Sequence, residues 1–242
     1  MITPAQLPSA SLAEDSLSGR QNLGVLESIQ KDGYALLNGF APRCSTESLL
    51  GLIGDPVALG SKGPIHQLRP RRVEEAPLNT YSGNYGLGEF PLHTDLAHWF
   101  LPPRYFLLRC VVGFENVPTV LVDGFPLVKQ VGTTVLTRAL MLPRRFVNGK
   151  RCLLRLFQMA DSAASLIRWD EKYIQPATKA GATGTSRFSK VLAEAPRILA
   201  SLSQPGDTII IDNWRMLHGR AAVPESCLSR NIDRVYLRSL HP

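Results

Sequence analysis

The stretch FPLHTDLAHWF, residues 90–100, places two histidines and one aspartate inside an otherwise apolar run. In an extended strand, residues two positions apart point to the same face, so His93 and Asp95 project together and Thr94 projects to the other side. An imidazole and a carboxylate side by side are two ligands for a divalent metal. The alternative is an ordinary polar strand that faces water.

The chain contains five histidines, so few residues can supply a third ligand. His218 is the preferred candidate, because it follows the apolar run TIII and its neighbour Gly219 permits close approach of the backbone. We expect it at the end of that strand. His98 lies too close to His93 to complete the set, and we expect it to line or support the site. A 2-His-1-carboxylate set of His93, Asp95 and His218 is typical of Fe(II) oxygenases and leaves coordination positions open.

Two arginines share one face of the last predicted strand, RNIDRVYLR. If Arg230 and Arg234 point inward, their burial is costly unless an anion is bound there. Arginine binds a carboxylate through two parallel hydrogen bonds. A dicarboxylate that chelates the metal at one end and pairs with arginine at the other would explain the pattern. The alternative is an exposed edge strand with outward-facing arginines.

The order of these motifs, HTD, then HGR, then RNIDR, resembles the TauD/TfdA-type Fe(II)/2-oxoglutarate dioxygenases, with which the clavaminate synthase-like enzymes are grouped. The resemblance covers residues 25–240. KDGYALLNGF is similar to the family's N-terminal helix-strand segment, and ENVPTVLVDG to its Gly-Gly-x-Thr strand. In this chain Val117 and Pro118 replace the two glycines of that strand.

The resemblance implies a role for each matching residue. His93, Asp95 and His218 would ligate Fe(II), while Arg230 and Thr119 would bind the distal carboxylate of 2-oxoglutarate. Arg234 would lie near the metal end. The implied activity is an oxygenase that uses O2 on an unactivated C–H bond of a small polar substrate, such as an amino acid, an organic acid or a natural-product intermediate. Hydroxylation, desaturation and cyclisation are all compatible outcomes.

Candidate substrate residues come from two places. The glycine-rich loop before the HTD motif, which in the resembled family often forms part of the substrate pocket, contributes Tyr81, Ser82, Asn84 and Tyr85. Ordinary turn chemistry is the alternative reading of that loop. Arg168 and Asp170 form a second candidate pair that would suit a zwitterion, with a surface ion pair as the alternative.

Composition limits the class of protein. The chain has 242 residues, 44% hydrophobic and 19% charged, which fits one globular domain over residues 25–242 after a flexible leader over residues 1–24. It has no apolar run of the roughly 18 residues that a membrane span needs. The four cysteines form no CxxC pair, so we expect reduced thiols and a cytoplasmic protein. The net charge of +7 is scattered, and we expect a small-molecule substrate and no nucleic acid.

The predicted elements are mainly strands. Apolar, β-branched runs predict strands at residues 34–37, 104–114, 118–125, from 208 onward and at 230–240. Residues 128–142 and 188–202 are predicted helices. Short strands with helical insertions favour a mostly-β fold with a jelly-roll core, the double-stranded β-helix of cupin-like proteins.

Three other functions compete with this prediction. An AlkB-type nucleic-acid demethylase shares the metal ligands and the arginines, but the sequence has no aromatic-basic stretch for reading bases. A non-catalytic jelly-roll binding protein would make the metal set a coincidence. A zinc hydrolase with the same ligands would leave Arg230 and Arg234 without a purpose.

Overall fold

The computed structural model describes residues 19–60, 63–147, 149–159 and 165–242. Most of the predicted leader, residues 1–18, lies outside them, and the first helix of the described residues begins at Gly19. The helices are α1 (Gly19–Asp32), α2 (Thr46–Ile53), α3 (Tyr81–Tyr85), α4 (Gly124–Val131), α5 (Thr133–Arg138) and α6 (Lys179–Ala193). The strands are β1 (Tyr34–Leu37), β2 (Gly54–Val57), β3 (Ile65–Leu68), β4 (Phe90–His93), β5 (Tyr105–Val112), β6 (Thr119–Asp123), β7 (Leu140–Pro143), β8 (Leu154–Arg155), β9 (Phe157–Gln158), β10 (Leu166–Ile167), β11 (Ile174–Pro176), β12 (Ile198–Ala200), β13 (Thr208–Asp212), β14 (Met216–Arg220) and β15 (Asn231–Leu240).

Two antiparallel sheets form the core, which confirms the predicted jelly roll. The larger sheet has the strand order β1-β13-β5-β15-β2, and β3 also pairs with β15. The smaller sheet has the order β12-β6-β14-β4. Neighbours in each sheet are far apart in sequence, as in β5 beside β13 and β6 beside β14, so the chain alternates between the two sheets.

Alternating side chains explain how the sheets are covered on both faces. One set of apolar residues packs between the sheets: Phe106, Leu108, Leu121, Ile209, Ile211, Met216 and Ile232. The alternate positions of the larger sheet, such as Leu107, Ile210 and Val235, pack against α1 and α2. The outer face of the smaller sheet packs against α4, α5 and α6 through Val122 and Leu217. Helices therefore cover the outer faces of both sheets.

Two of the predicted helices differ from the structure. Residues 128–142 do not form one helix, because Gly132 adopts φ +100° and separates α4 from α5, after which β7 begins at Leu140. The helix predicted at residues 188–202 lies earlier in the chain: α6 begins at Lys179 and ends at Ala193, and β12 follows. The side chain of Thr178 caps α6 by accepting a hydrogen bond from the Gly181 N–H.

The segment that carries His218 also differs from expectation. A turn at residues 213–215 ends β13, and His218 lies inside the next strand, β14, rather than at the end of β13. The turn is stabilised by Asp212, whose carboxylate accepts a hydrogen bond from the Trp214 N–H at 3.0 Å. β13 and β14 belong to different sheets, so this turn carries the chain from the larger sheet to the smaller one.

Among the described residues, no helix is both long and apolar enough to span a membrane.

Candidate metal centre

Strand pairing brings two of the predicted ligands together. His93 is the last residue of β4 and His218 lies in β14, and the two are direct partners in the antiparallel register. Side chains of directly paired residues point to the same face of a sheet. Their ring centroids are 4.4 Å apart, and both side chains are buried.

Asp95 lies beyond the end of β4, and a buried asparagine fixes its position. The side chain of Asn213 accepts a hydrogen bond from the Asp95 N–H at 2.7 Å and donates one to the Asp95 carbonyl at 3.0 Å. The preceding residue, Thr94, exchanges hydrogen bonds with the backbone of Trp169. Sequence reasoning missed Asn213, although an Asp-Asn pair after an apolar strand is a turn signal.

The three side chains can hold one metal ion. Their candidate ligand atoms all lie within 4.8 Å of one another. Nε2 of His93 is 3.5 Å from one Asp95 oxygen, and Nε2 of His218 is 3.7 Å from the other. Ligands on adjacent positions of one metal at bond lengths near 2.1 Å stand about 3 Å apart, so a small contraction suffices.

The tautomer of His93 fits this role. Its Nδ1 lies 2.8 Å from the Pro91 carbonyl oxygen, which can only accept a hydrogen bond, so Nδ1 carries the proton. The lone pair is then on Nε2, which faces Asp95. Metal-binding histidines in proteins are usually oriented by such a hydrogen bond from the other ring nitrogen.

The charges around Asp95 keep it ionised. Burial acts to raise its pKa, but the charge of Arg234 holds the pKa well below the ordinary value. Arg234 Nη1 lies 3.1 Å from the carboxylate, and the Tyr236 hydroxyl donates to it at 2.8 Å. Burial lowers the pKa of His218 to about 3, so this imidazole is neutral. A carboxylate and a neutral imidazole are the forms that bind metal.

Tyr236→Phe is expected to weaken Fe(II) binding by roughly tenfold without unfolding the protein, because it removes one hydrogen bond that orients the Asp95 carboxylate. A competition titration of Fe(II) against a metal-binding dye measures this directly. Tyr173→Phe is the matched control, since the Tyr173 hydroxyl donates to the Asn79 carbonyl. An unchanged Fe(II) affinity in Tyr236→Phe would show that this hydroxyl does not support the ligand.

A cavity of about 580 Å³ joins the three candidate metal ligands to a buried arginine. Arg230 is only 5% exposed, and its Nε has no hydrogen-bond partner. No ion pair involves it within the described parts of the chain. Burial lowers the pKa of Arg230 to about 10, which reflects the cost of this isolated charge. Thr119 lines the same cavity and is buried.

Arg220 also lines the cavity but is already satisfied. Its Nη2 donates to the carbonyls of Gly86 and Gly88 at 3.0 and 2.7 Å. Its guanidinium carbon lies 3.7 Å from the centre of the Phe90 ring, a cation–π contact. Arg220 therefore holds the loop before β4 against β14. Arg69 and Arg71 also line the cavity but are exposed, and Arg234 pairs with Asp95. Arg230 is thus the buried arginine of the described lining that has no ion pair.

The predicted substrate residues divide between two places. Tyr81 and Ser82 line the cavity, and the Tyr81 ring stacks on His93 with centroids 4.1 Å apart. Asn84 does not line it; its side chain donates to the Thr80 carbonyl and also contacts Lys172. Tyr85 is not a lining residue either, and packs on Tyr81 and Phe90. His98 lies in the cavity wall as expected and is not one of the three grouped ligands.

Arg168 and Asp170 do not form the expected pair. Asp170 lines the cavity of the candidate metal ligands and is buried, with Oδ1 accepting hydrogen bonds from the Lys172 and Tyr173 N–H groups. Arg168 is also buried but lines a different cavity. The two side chains line different cavities, so they form neither a zwitterion clamp nor a surface ion pair.

Comparison with known proteins bears on the fold. No family model matches the sequence. The non-haem iron oxygenase OrfP, solved with Fe and α-ketoglutaric acid, superposes with a TM-score of 0.72 at 18% identity, over 97% of this chain and 86% of that chain. An asparagine oxygenase, solved with Fe(II), hydroxyasparagine and succinate, gives 0.63 at 15% identity, over 96% and 85%. This chain shares the fold of these iron oxygenases.

A third solved structure has a similar fold. PvcB from Pseudomonas aeruginosa is an Fe, α-ketoglutarate-dependent oxygenase from an isonitrile synthetic pathway. It superposes with a TM-score of 0.64 at 18% identity, over 93% of this chain and 81% of that chain. At these sequence identities, the similarity to the three oxygenases concerns the fold.

Proposed function

We propose that the protein is an Fe(II)- and 2-oxoglutarate-dependent oxygenase. One observation carries the proposal: a single cavity is lined by a buried His-Asp-His group and by a buried arginine that pairs with no described acidic residue. Neither a zinc hydrolase nor a passive binding fold accounts for both features. The shared fold with oxygenases solved with Fe and α-ketoglutaric acid supports it.

Each group has a defined task under this proposal. His93, Asp95 and His218 hold Fe(II), and Arg230 and Thr119 bind the distal carboxylate of 2-oxoglutarate. Arg234 stabilises Asp95 and lies beside the metal end of the co-substrate. Tyr81 covers one face of His93 and excludes water from it. When bound, iron, 2-oxoglutarate and O2 together supply the oxidation of a substrate C–H bond.

Anaerobic titration of the metal-free protein, first with Fe(II) and then with 2-oxoglutarate, tests the proposal. Chelation of a keto acid by Fe(II) produces a weak visible absorption band, which we expect here. Replacing 2-oxoglutarate with succinate should give no band, since succinate lacks the keto group. Absence of the band in the wild-type protein would contradict the proposal and favour a non-catalytic binding protein.

A substrate with a cationic group fits the cavity best, and we propose an amino acid or a related small molecule. Asp170 is a buried carboxylate in the cavity wall, and burial raises its pKa above the ordinary value. A substrate cation would stabilise its ionised form. The solved complexes of OrfP with hydroxyarginine and of the asparagine oxygenase with hydroxyasparagine show amino acids in proteins of this fold.

Asp170→Asn is expected to raise KM for a cationic substrate by roughly 10- to 100-fold, because a charge-assisted hydrogen bond is lost. Succinate release measured with a panel of amino acids identifies the substrate. The same assay then gives the KM for that substrate. In the wild type, KM should rise as the pH falls toward the raised pKa of Asp170, since protonation removes the negative charge. The Asn variant should lack that rise. Glu171→Gln, at an exposed neighbouring carboxylate, is the control.

The proposal includes a location in the cytoplasm. All four cysteines, Cys44, Cys110, Cys152 and Cys227, are free thiols, which supports a reducing compartment such as the cytoplasm. A small-molecule substrate remains preferred over nucleic acid. Salt-sensitive retention of the protein on single-stranded DNA or RNA would instead favour a demethylase.

A further inference from the structure

A second cavity of about 450 Å³ lies apart from the metal centre and shares none of its lining residues. Its lining includes two arginines, Arg155 and Arg168. Its apolar lining includes Phe100, Leu153 and Met159, which are 74%, 58% and 61% exposed. Within the described parts of the chain, no carboxylate lines it.

Arg168 is a buried cation with almost no compensation. It is 1% exposed, and its Nη2 donates to the Phe100 carbonyl at 2.5 Å. Its Nε and Nη1 have no hydrogen-bond partner, and no described acidic residue forms an ion pair with it. A buried guanidinium with unused donors is destabilising unless an anion meets it.

Another buried arginine, Arg109, is compensated by several hydrogen bonds to oxygens of the protein. Arg109 is 3% exposed and donates to the carbonyls of Phe40, Ala41, Cys44 and Gly206 and to the Thr208 hydroxyl. The fold is therefore able to satisfy a buried guanidinium with its own oxygens. At Arg168 it leaves donors unused at the wall of a cavity.

We propose that the second cavity binds an organic carboxylate with an apolar body. The carboxylate would accept hydrogen bonds from Arg168, with Arg155 adding positive charge, and the apolar body would cover the exposed side chains of Phe100, Leu153 and Met159. Planar, two-pronged donation by arginine matches a carboxylate. Exposed apolar side chains around a charged anchor match an amphipathic ligand rather than a bare inorganic ion.

Thermal unfolding of the metal-free protein in the presence of a chelator tests this proposal separately from the metal centre. The probe is phenylacetate, compared with phenylacetamide, which has the same shape without the charge, and with acetate, which lacks the ring. Phenylacetate is expected to raise Tm by roughly 5 °C at a hundredfold excess over its dissociation constant. Phenylacetamide and acetate at the same concentration should give little or no shift.

Two variants locate the effect. Arg168→Met keeps the length of the side chain and removes the unpaired charge, so it should melt at or above the wild type without ligand. It should lose roughly 10- to 100-fold in phenylacetate affinity. Arg230→Gln should keep the full response. The proposal is overturned if phenylacetamide stabilises the wild type equally, if Arg168→Met keeps the response, or if only Arg230→Gln loses it.

Discussion

His218→Ala is expected to lower Fe(II) affinity by at least about 100-fold and to abolish the visible band with 2-oxoglutarate. Loss of a group that merely supports a ligand costs roughly 10- to 100-fold in metal affinity, and His218 is proposed as a ligand itself. The remaining pair, His93 and Asp95, offers two ligands, which is fewer than Fe(II) oxygenase sites use. Fe(II) titration of the metal-free variant measures the loss.

His98→Ala is the matched control for this variant. His98 lines the same cavity but is not among the three grouped ligands. Its substitution should leave Fe(II) affinity within a few-fold of wild type. Circular dichroism should show both variants folded, because each substitution removes one side chain from the wall of a cavity. Equal Fe(II) affinity in His218→Ala and wild type would contradict the assignment of the metal centre.

Arg230→Met is expected to weaken 2-oxoglutarate binding by roughly 100-fold while leaving Fe(II) binding intact, because truncating one partner of a buried charge pair costs about 2–5 kcal/mol. The visible band should then need far more 2-oxoglutarate to saturate. Without co-substrate the variant should be at least as stable as wild type, since it removes a buried charge that has no counter-ion.

Arg109→Met provides the contrast for the stability part of this prediction. Arg109 is as buried as Arg230, but both of its terminal guanidinium nitrogens donate to backbone carbonyls, and one of them also donates to a hydroxyl. Its replacement should cost about 3 kcal/mol or more in the free energy of unfolding, because several buried acceptors lose their donor. Urea unfolding of both variants compares the two. A large stability loss in Arg230→Met would show that its charge is compensated in the folded protein.

The grouping of His93, Asp95 and His218 and the burial of Arg230 could be predicted because each residue lies in or beside a strand of clear pattern. The parity rule placed His93 with Asp95, and Arg230 with Arg234, and strand pairing then brought these groups to one cavity. Asn213 could not be predicted, since its role depends on contact with a backbone far away in sequence. Local pattern carries no information about such a partner.

The direction of Arg168 was beyond sequence reasoning for a different reason. β9, β10 and β11 have two or three residues each, so the turns between them decide which way a side chain points. The helix over residues 179–193 was missed in part because its first turns are rich in glycine. Gly184 is needed for packing: a Cβ there would meet the Ala139 side chain at 2.6 Å. Helix propensity alone counts such a residue as a breaker.

The two sheets contribute different parts of the cavity that contains the candidate metal ligands. His93 and His218 belong to the smaller sheet, whereas Arg234 and Tyr236 belong to the larger one, and Arg230 directly precedes the same strand. A metal ion with its dicarboxylate would therefore act as a removable cross-link between the two halves of the sandwich. Unfolding has to break that link, so resistance to heat should report the supply of iron and 2-oxoglutarate. In a cell that is short of iron or 2-oxoglutarate, the protein would therefore be degraded faster.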